Sequence, residues 1–248
     1  MVEGMLAEAF DLIAYEPKPR SKKDKEWMNK AQFYLPDWEG WIIRRNGNFF
    51  QAEYRGVNFT CSDVWFYRYE STNVESTNYE IINIFKGQRL TLGLRKEIHS
   101  PVVVTQLMGG ICMPLPSVQT GNPAFDEAFS VFAGDERVAF DVLTPRFMEI
   151  LLSMRVRQRE GQMASGRKHL CFTGRHLYVA MNTGRDLVRF DDTLGGMMGE
   201  SDILALRERT QSQIDFIKEE LDGFLLDESL FQVEEISHHI EEGCAYEL

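Results

Sequence analysis

Hydrophobic and polar positions repeat with two different periods along this chain, and the changes of period divide it. Over residues 3–14, Met5, Leu6, Phe10 and Ile13 recur at helical spacing, which predicts a short amphipathic helix. EPKPRSKKDK follows, and its prolines and charge run predict a linker or exposed arm. A second helix is expected over residues 24–34, with Trp27, Ala31 and Phe33 or Tyr34 as its packing residues. From Gly40 the period falls to two. WIIRRNGNFFQAEYRG reads as two strands turning at Asn46-Gly47, because both positions tolerate positive φ. GVNFTCSDVWFYRYE, YEIINIFKG, RLTLGLRKEI and PVVVTQLM then read as successive antiparallel strands. ESTNVESTN repeats a unit that has nothing to pack, so it is expected at a polar hairpin tip.

Residues 109–123 are rich in glycine and proline and predict a loop. Asn122-Pro123 opens a helical turn, AFDEAF, and SVFAGDERVAFDVL reads as two strands around Gly134-Asp135. The clearest local signal comes next. Thr144 caps, Pro145 fits the first helical position, and FMEILLSM supplies an apolar face, giving a helix over about residues 144–157. HLCFTGRHLYVAMN predicts a hairpin turning at Thr173-Gly174-Arg175, with a second turn at Thr183-Gly184-Arg185. Ile203, Leu206, Ile214, Ile217, Leu221 and Phe224 mark a long helix over about residues 201–226. The fold class is α+β: a largely antiparallel sheet with the short internal helix and the long C-terminal helix packed on it. The expected organisation is a helix and basic arm over residues 1–35, one α+β domain over residues 36–231, and an acidic tail over residues 232–248.

Composition supports a real core, with 44% hydrophobic and 12% aromatic residues in a chain of 248. No apolar run approaches the roughly 18 to 20 residues that span a bilayer. Acids at Glu3, Glu8 and Asp11 interrupt the N-terminal apolar pattern, so it does not read as a secretory signal and the expected compartment is the cytoplasm. The four cysteines form no CxxC pair and read as free thiols, Cys61 and Cys171 as small hydrophobes within strands. A net charge of −11 disfavours nucleic acid as a partner. Charge is unevenly spread, however. Lys18, Arg20, Lys22, Lys23 and Lys25 crowd one segment beside Trp27, whereas no Lys or Arg follows Lys218. The basic cluster with Trp27 is a candidate contact for an anionic membrane, at about 1 kcal/mol per charge, with the residue 3–14 helix inserting beside it.

Candidates for chemistry are sparse. Glu235, His238, His239 and Glu242 present metal-ligand types at helical spacing, but carboxylate-bridged sites need a second Glu-x-x-His, and the chain has none. Arg175 and Arg185 follow two Thr-Gly turns and are candidates to clamp an anion. His169 and His176 flank the expected hairpin turn without a nucleophile motif. Asp135, Glu136 and Asp141 cluster near a turn, and Gly109-Gly110 lacks the lysine of a phosphate loop. No catalytic residue and no cofactor are assigned.

NPAFDEAFSVFAGDERVAFDVLTPRFMEILL, LCFTGRHLYVAM and DLVRF together are similar to the bacterial family catalogued as domain of unknown function 3137. The resemblance rests on Asn122, Pro123, Phe125, Phe129, Val131, Thr144, Pro145, Phe147, Met148, Leu177, Tyr178, Val179 and Ala180, and extends over about residues 42–231. It implies one α+β domain and brings no catalytic residue or ligand. Many relatives carry hydrophobic spans ahead of the domain, whereas the segment before Trp41 here is charged. Residues that specify a fold are plentiful and residues that specify a reaction are few. The expected function is therefore a non-catalytic binding or scaffold module, cytoplasmic or peripheral to a membrane. Its partner is a protein or an anionic membrane surface, and the long helix is a candidate for homo-oligomerisation. The alternative is a metal-dependent hydrolase using the tail His and Glu residues.

Overall fold

The computed structural model describes residues 1–18, 27–31, 43–71, 79–106, 114–154, 167–186, 200–227 and 229–231. The elements in chain order are α1 (Val2–Ala9), β1 (Asp11–Glu16), β2 (Ile43–Tyr54), β3 (Val57–Ser71), β4 (Tyr79–Thr105), β5 (Ser117–Val118), α2 (Pro123–Ala128), β6 (Ser130–Ala133), α3 (Glu136–Val142), α4 (Pro145–Ser153), β7 (Lys168–Met181) and α5 (Glu200–Leu225). A separate helical turn covers residues 27–30. The strands form one sheet in the order β1-β2-β3-β4-β6-β5, with every pairing antiparallel and β7 joined to β4. β3 and β6 take successive stretches of one edge of β4, and β7 runs along the other.

β4 is a single strand of 27 residues where the hydrophobic pattern suggested three. Gly93 and Ser100-Pro101 fall at irregular stretches of it rather than at turns, with register against β7 shifting on both sides of Ile98, whereas Gly87 stays in regular register opposite Val64. Opposite that irregular stretch the chain returns after α5: Leu94 bridges to Phe231, and the Arg95 N–H donates to the Leu230 carbonyl at 2.9 Å. Asn46-Gly47 is likewise no hairpin. β2 runs through it, with one extra residue between Gly47 and Phe50 and Asn48 at φ 49°. The turn falls at Arg55-Gly56, both at positive φ, as a two-residue connection between right-twisted strands requires. Thr173-Gly174-Arg175 also lies inside one strand. Gly174, at φ 56°, adds a bulge that reverses the alternation of β7: Leu170 and Phe172 face the main core before it, Leu177 and Val179 after it.

Helix ends follow local chemistry more closely. Thr144 Oγ1 accepts the Phe147 N–H at 3.1 Å, and Pro145 occupies the first turn of α4. The helix stops at Ser153, short of residue 157, because Met154 is extended. The expected second strand after Gly134 is instead α3, with Asp135 Oδ1 capping it by accepting the Arg137 N–H at 2.9 Å. The N-terminal helix ends at Ala9, and the chain enters the edge strand β1, where Ile13 is exposed.

Two layers of packing flank the sheet. On one face α1, α2, α3, α4 and α5 cover the main core, to which Leu6, Phe10, Phe50, Phe147, Phe172 and Phe224 contribute. On the other face Met28 and Ala31 pack on Val64, Phe66, Phe85 and Cys171. Each fully buried aromatic of this size contributes about 1.5–3 kcal/mol of hydrophobic stabilisation. At the end of β7 the backbones approach closely. A Cβ at Gly87 would overlap the Met181 carbonyl and lie 2.8 Å from the Thr183 nitrogen. Gly87→Ala is therefore expected to cost about 2 kcal/mol by overpacking, seen as a lower Tm. An unchanged Tm would show that this contact relaxes freely.

Candidate functional site

A row of polar side chains crosses the sheet on the helix-covered side. The Tyr15 hydroxyl donates to Asn48 Oδ1 at 2.9 Å, and Asn48 Nδ2 donates to Asp63 Oδ2 at 2.7 Å. Gln88 Nε2 donates to Asp63 Oδ1 at 3.0 Å and to the Arg185 carbonyl at 2.7 Å, and Thr183 Oγ1 donates to Gln88 Oε1 at 2.9 Å. Four strands and the segment after β7 are thereby stitched together. Asn48, Asp63 and Gln88 are buried, and each Asp63 oxygen already accepts an amide hydrogen. A carboxylate held this way fixes register, because a free lone pair aimed at substrate is what acid–base work needs. Burial and the nearby Asp63 raise the Tyr15 pKa above its ordinary value, which keeps this donor protonated.

β3 and β4 continue past this row to Ser71↔Tyr79, with one register shift between Phe66 and Tyr67. β2 accompanies β3 as far as Ile43↔Tyr67, and beyond it the pair forms a two-stranded arm. Period-two alternation puts Trp65, Tyr67 and Tyr69 on one face, with ring centroids 4.5 Å and 5.7 Å apart along the series. Tyr79 extends the stripe from β4, 6.5 Å from Tyr69 and edge-on to it. The Arg45 guanidinium lies 5.7 Å from both the Trp65 and Tyr67 rings, and Lys86 Nζ lies 4.8 Å from the Trp65 ring. Lys86 also pairs with Asp186 at 3.3 Å, and Trp65 Nε1 donates to Asn83 Oδ1 at 2.7 Å. These contacts hold the inner rings in place, each cation–π contact adding about 0.5–1 kcal/mol. Outward along the stripe the rings are uncovered: Tyr69 is 49% exposed, Tyr79 67% and the neighbouring Ile81 44%. The opposite face of the arm carries Phe66 and Phe85, both buried in the second core. The arm is thus anchored by one face and displays the other.

The model of a family described as protein of unknown function (DUF3137) matches residues 83–219, more than half of the chain. The chain belongs to this family. Among solved structures, the crystal structure of the mycobacterial trehalose monomycolate transport factor A, TtfA, is similar at 10% identity, covering 86% of this chain and 89% of that one with a TM-score of 0.39. None of the curated proteins matches.

In this DUF3137 member the residues singled out for chemistry are scattered. Lys18 is exposed, while Arg20, Lys22, Lys23 and Lys25 lie outside the described residues. Trp27 is turned onto the sheet. Its Nε1 donates to Thr91 Oγ1 at 2.9 Å, its ring meets Tyr178 edge-on at 5.9 Å, and the Arg89 guanidinium lies 5.4 Å from the ring. The α1 residues Val2, Met5 and Leu6 are buried in the main core, so the insertion expected of that helix has no apolar face to use. Among the described residues no helix is long and apolar enough to cross a membrane.

Arg175 and Arg185 do not converge. Arg175 sits at the bulge of β7 and Arg185 beyond its far end, and the strand between Arg175 and Met181 alone spans about 20 Å at 3.3 Å per residue. His169 is buried and His176 is exposed on that same strand. Glu235, His238, His239 and Glu242 lie outside the described residues, and among those described no group of three or more His, Cys, Asp or Glu is placed to hold a metal. Cys61 and Cys171 are free and buried. Burial pushes the Cys171 thiol up to about 12 and raises the Cys61 thiol well above its ordinary value. Neither is a nucleophile. The aromatic stripe went unrecognised as a site, although WFYRY carries its period-two signal. Pattern alone does not say which face a second layer covers.

Proposed function

We propose that this DUF3137 member is a non-catalytic binding module whose recognition face is the outer stripe of the β3–β4 arm, and that its partner is a protein. The observation that carries this reading is the step in exposure along the stripe, from half-buried Trp65 and buried Tyr67 to exposed Tyr69 and Tyr79. Tyrosine, tryptophan and arginine dominate the energetics of protein interfaces, because rigid rings bury much area at small entropic cost. The buried polar groups point the same way, since Asp63 is already satisfied by structural partners. The free, buried thiols of Cys61 and Cys171 suit a reducing compartment such as the cytoplasm.

The test is site-specific photo-crosslinking in cells, with a benzophenone side chain at Ile81. The expected result is one discrete adduct that Tyr79→Ser abolishes while the melting temperature stays unchanged. A yield no higher than from the exposed position Glu97, on the same strand, would refute the reading.

A further inference from the structure

α5 extends past the body that holds it. Its apolar stripe runs through Ile203, Leu206, Thr210, Ile214, Ile217, Leu221 and Phe224 in steps of three and four. From Thr210 onward every residue of that stripe is buried. Over residues 200–209 no side chain is buried: Leu206 is half-covered where it packs against the edge of the main core, and the rest are exposed, with Ile203 at 47% and Leu204 at 58%. This segment is about 15 Å long at 1.5 Å per residue.

Its flanking charges are self-complementary. With Ile203 and Leu206 as the seam, Asp202 and Arg209 line one side, and Glu200 and Arg207 line the other. Each side therefore carries one acid and one base. Antiparallel packing on a second copy sets Ile203 against the partner's Leu206. The same packing brings Glu200 beside the partner's Arg207 and Asp202 beside the partner's Arg209, and the two-fold axis repeats every pair. It also places residue 200 of one helix level with residue 209 of the other, so the projecting segments overlap end to end and the bodies lie at opposite ends. Parallel packing would drive the two bodies together, because the same stripe faces the body from Thr210 onward.

We infer that residues 200–209 of α5 form a docking surface for the same segment of a second copy, in an antiparallel two-fold pair. Two segments of this length bury less than the roughly 1,600 Å² of a standard stable interface, so the pair is a reversible, concentration-dependent one. The arm is not involved, and the two proposals stand or fall separately.

Sedimentation equilibrium of the full chain, from low micromolar to sub-millimolar concentration, tests this. The expected result is a monomer–dimer equilibrium that Leu206→Asp weakens at least about tenfold. Arg207→Glu, at a fully exposed position, weakens it as well, and Glu200→Arg combined with Arg207→Glu restores it. Tyr79→Ser leaves it unchanged. A chain that stays monomeric throughout would overturn the inference. So would a dimer indifferent to Leu206→Asp, or one that the double charge exchange fails to rescue.

Discussion

Glu220→Leu is expected to destabilise the protein by about 3–5 kcal/mol, the cost of leaving a buried charge without its partner. Lys168 Nζ and Glu220 Oε2 are 2.8 Å apart, and both side chains are almost wholly removed from solvent. Lys168 opens β7, where its N–H donates to Gln106 Oε1 at 3.2 Å, and Glu220 lies on the face of α5 turned toward the sheet. The pair therefore ties the long helix to the β4–β7 end of the sheet. Burial raises the Glu220 pKa and the adjacent Lys168 ammonium opposes that rise, so desolvation is the larger of the two effects. An ion pair of this kind adds little net stability over an apolar pair of the same shape, while losing one partner is severe. Lys168→Met combined with Glu220→Leu should accordingly recover most of the loss. Urea denaturation of the two single variants and the double variant gives the coupling directly. A single-variant loss below about 1 kcal/mol would mean that water reaches the pair.

Neither member of that pair stands out in the sequence, and the reason separates what was legible from what was not. Helix starts were legible because a cap and a first-turn proline act within four residues: Thr144-Pro145 marks α4, and Asn122-Pro123 marks α2. The α5 stripe was legible because it repeats over many turns. Strand boundaries were less so. Asn46-Gly47 and Thr173-Gly174 carry the residues of turns, but bulges demand the same permissive backbone. Which of the two forms depends on partners far away in sequence, such as Pro17, whose carbonyl accepts the Asn48 N–H at 3.1 Å. SVFAGDERVAFDVL failed for a related reason. Its β-branched and aromatic residues suit a strand, and Asp135 as a cap outweighs that propensity. The aromatic stripe of the arm was visible as alternation in WFYRY. Its exposure was not, since it depends on a second layer that covers Phe66 and Phe85 and leaves Tyr69 open.

Lys168 and His169 show the same limit from the opposite direction. They are adjacent on β7, and nothing local in the sequence marks either as buried, yet alternation sends one to each covered face of the sheet. Lys168 reaches Glu220 on α5, and His169 reaches the segment 27–31, where its Nε2–H donates to the Ala31 carbonyl at 2.9 Å. Both buried polar contacts thus hold an outer layer against the sheet from a single point on one strand. A scaffold that presents a surface benefits from layers fixed in this way, because side chains lock a rigid element better than a loop.

The His169 contact makes stability depend on pH. Burial lowers the His169 pKa from 6.5 to about 4, and the bond to the Ala31 carbonyl offsets only part of that effect. The folded state therefore resists protonation that the unfolded state accepts. The contribution is complete above pH 6.5 and is lost as pH falls from there to about 4. A shift of this size corresponds to about 3 kcal/mol, at roughly 1.4 kcal/mol per pH unit. His176 changes in the same direction, because partial burial and then Lys30 lower its pKa. Total stability is thus a poor probe, and a difference is needed. His169→Gln keeps a donor of similar reach and cannot take up the proton. Urea midpoints of wild type and His169→Gln, followed from pH 7.5 down to about pH 4, should converge as the pH falls, with the wild type losing about 3 kcal/mol more than the variant. Parallel curves would show that His169 protonates freely in the folded protein, and that the segment 27–31 is not sealed over the sheet.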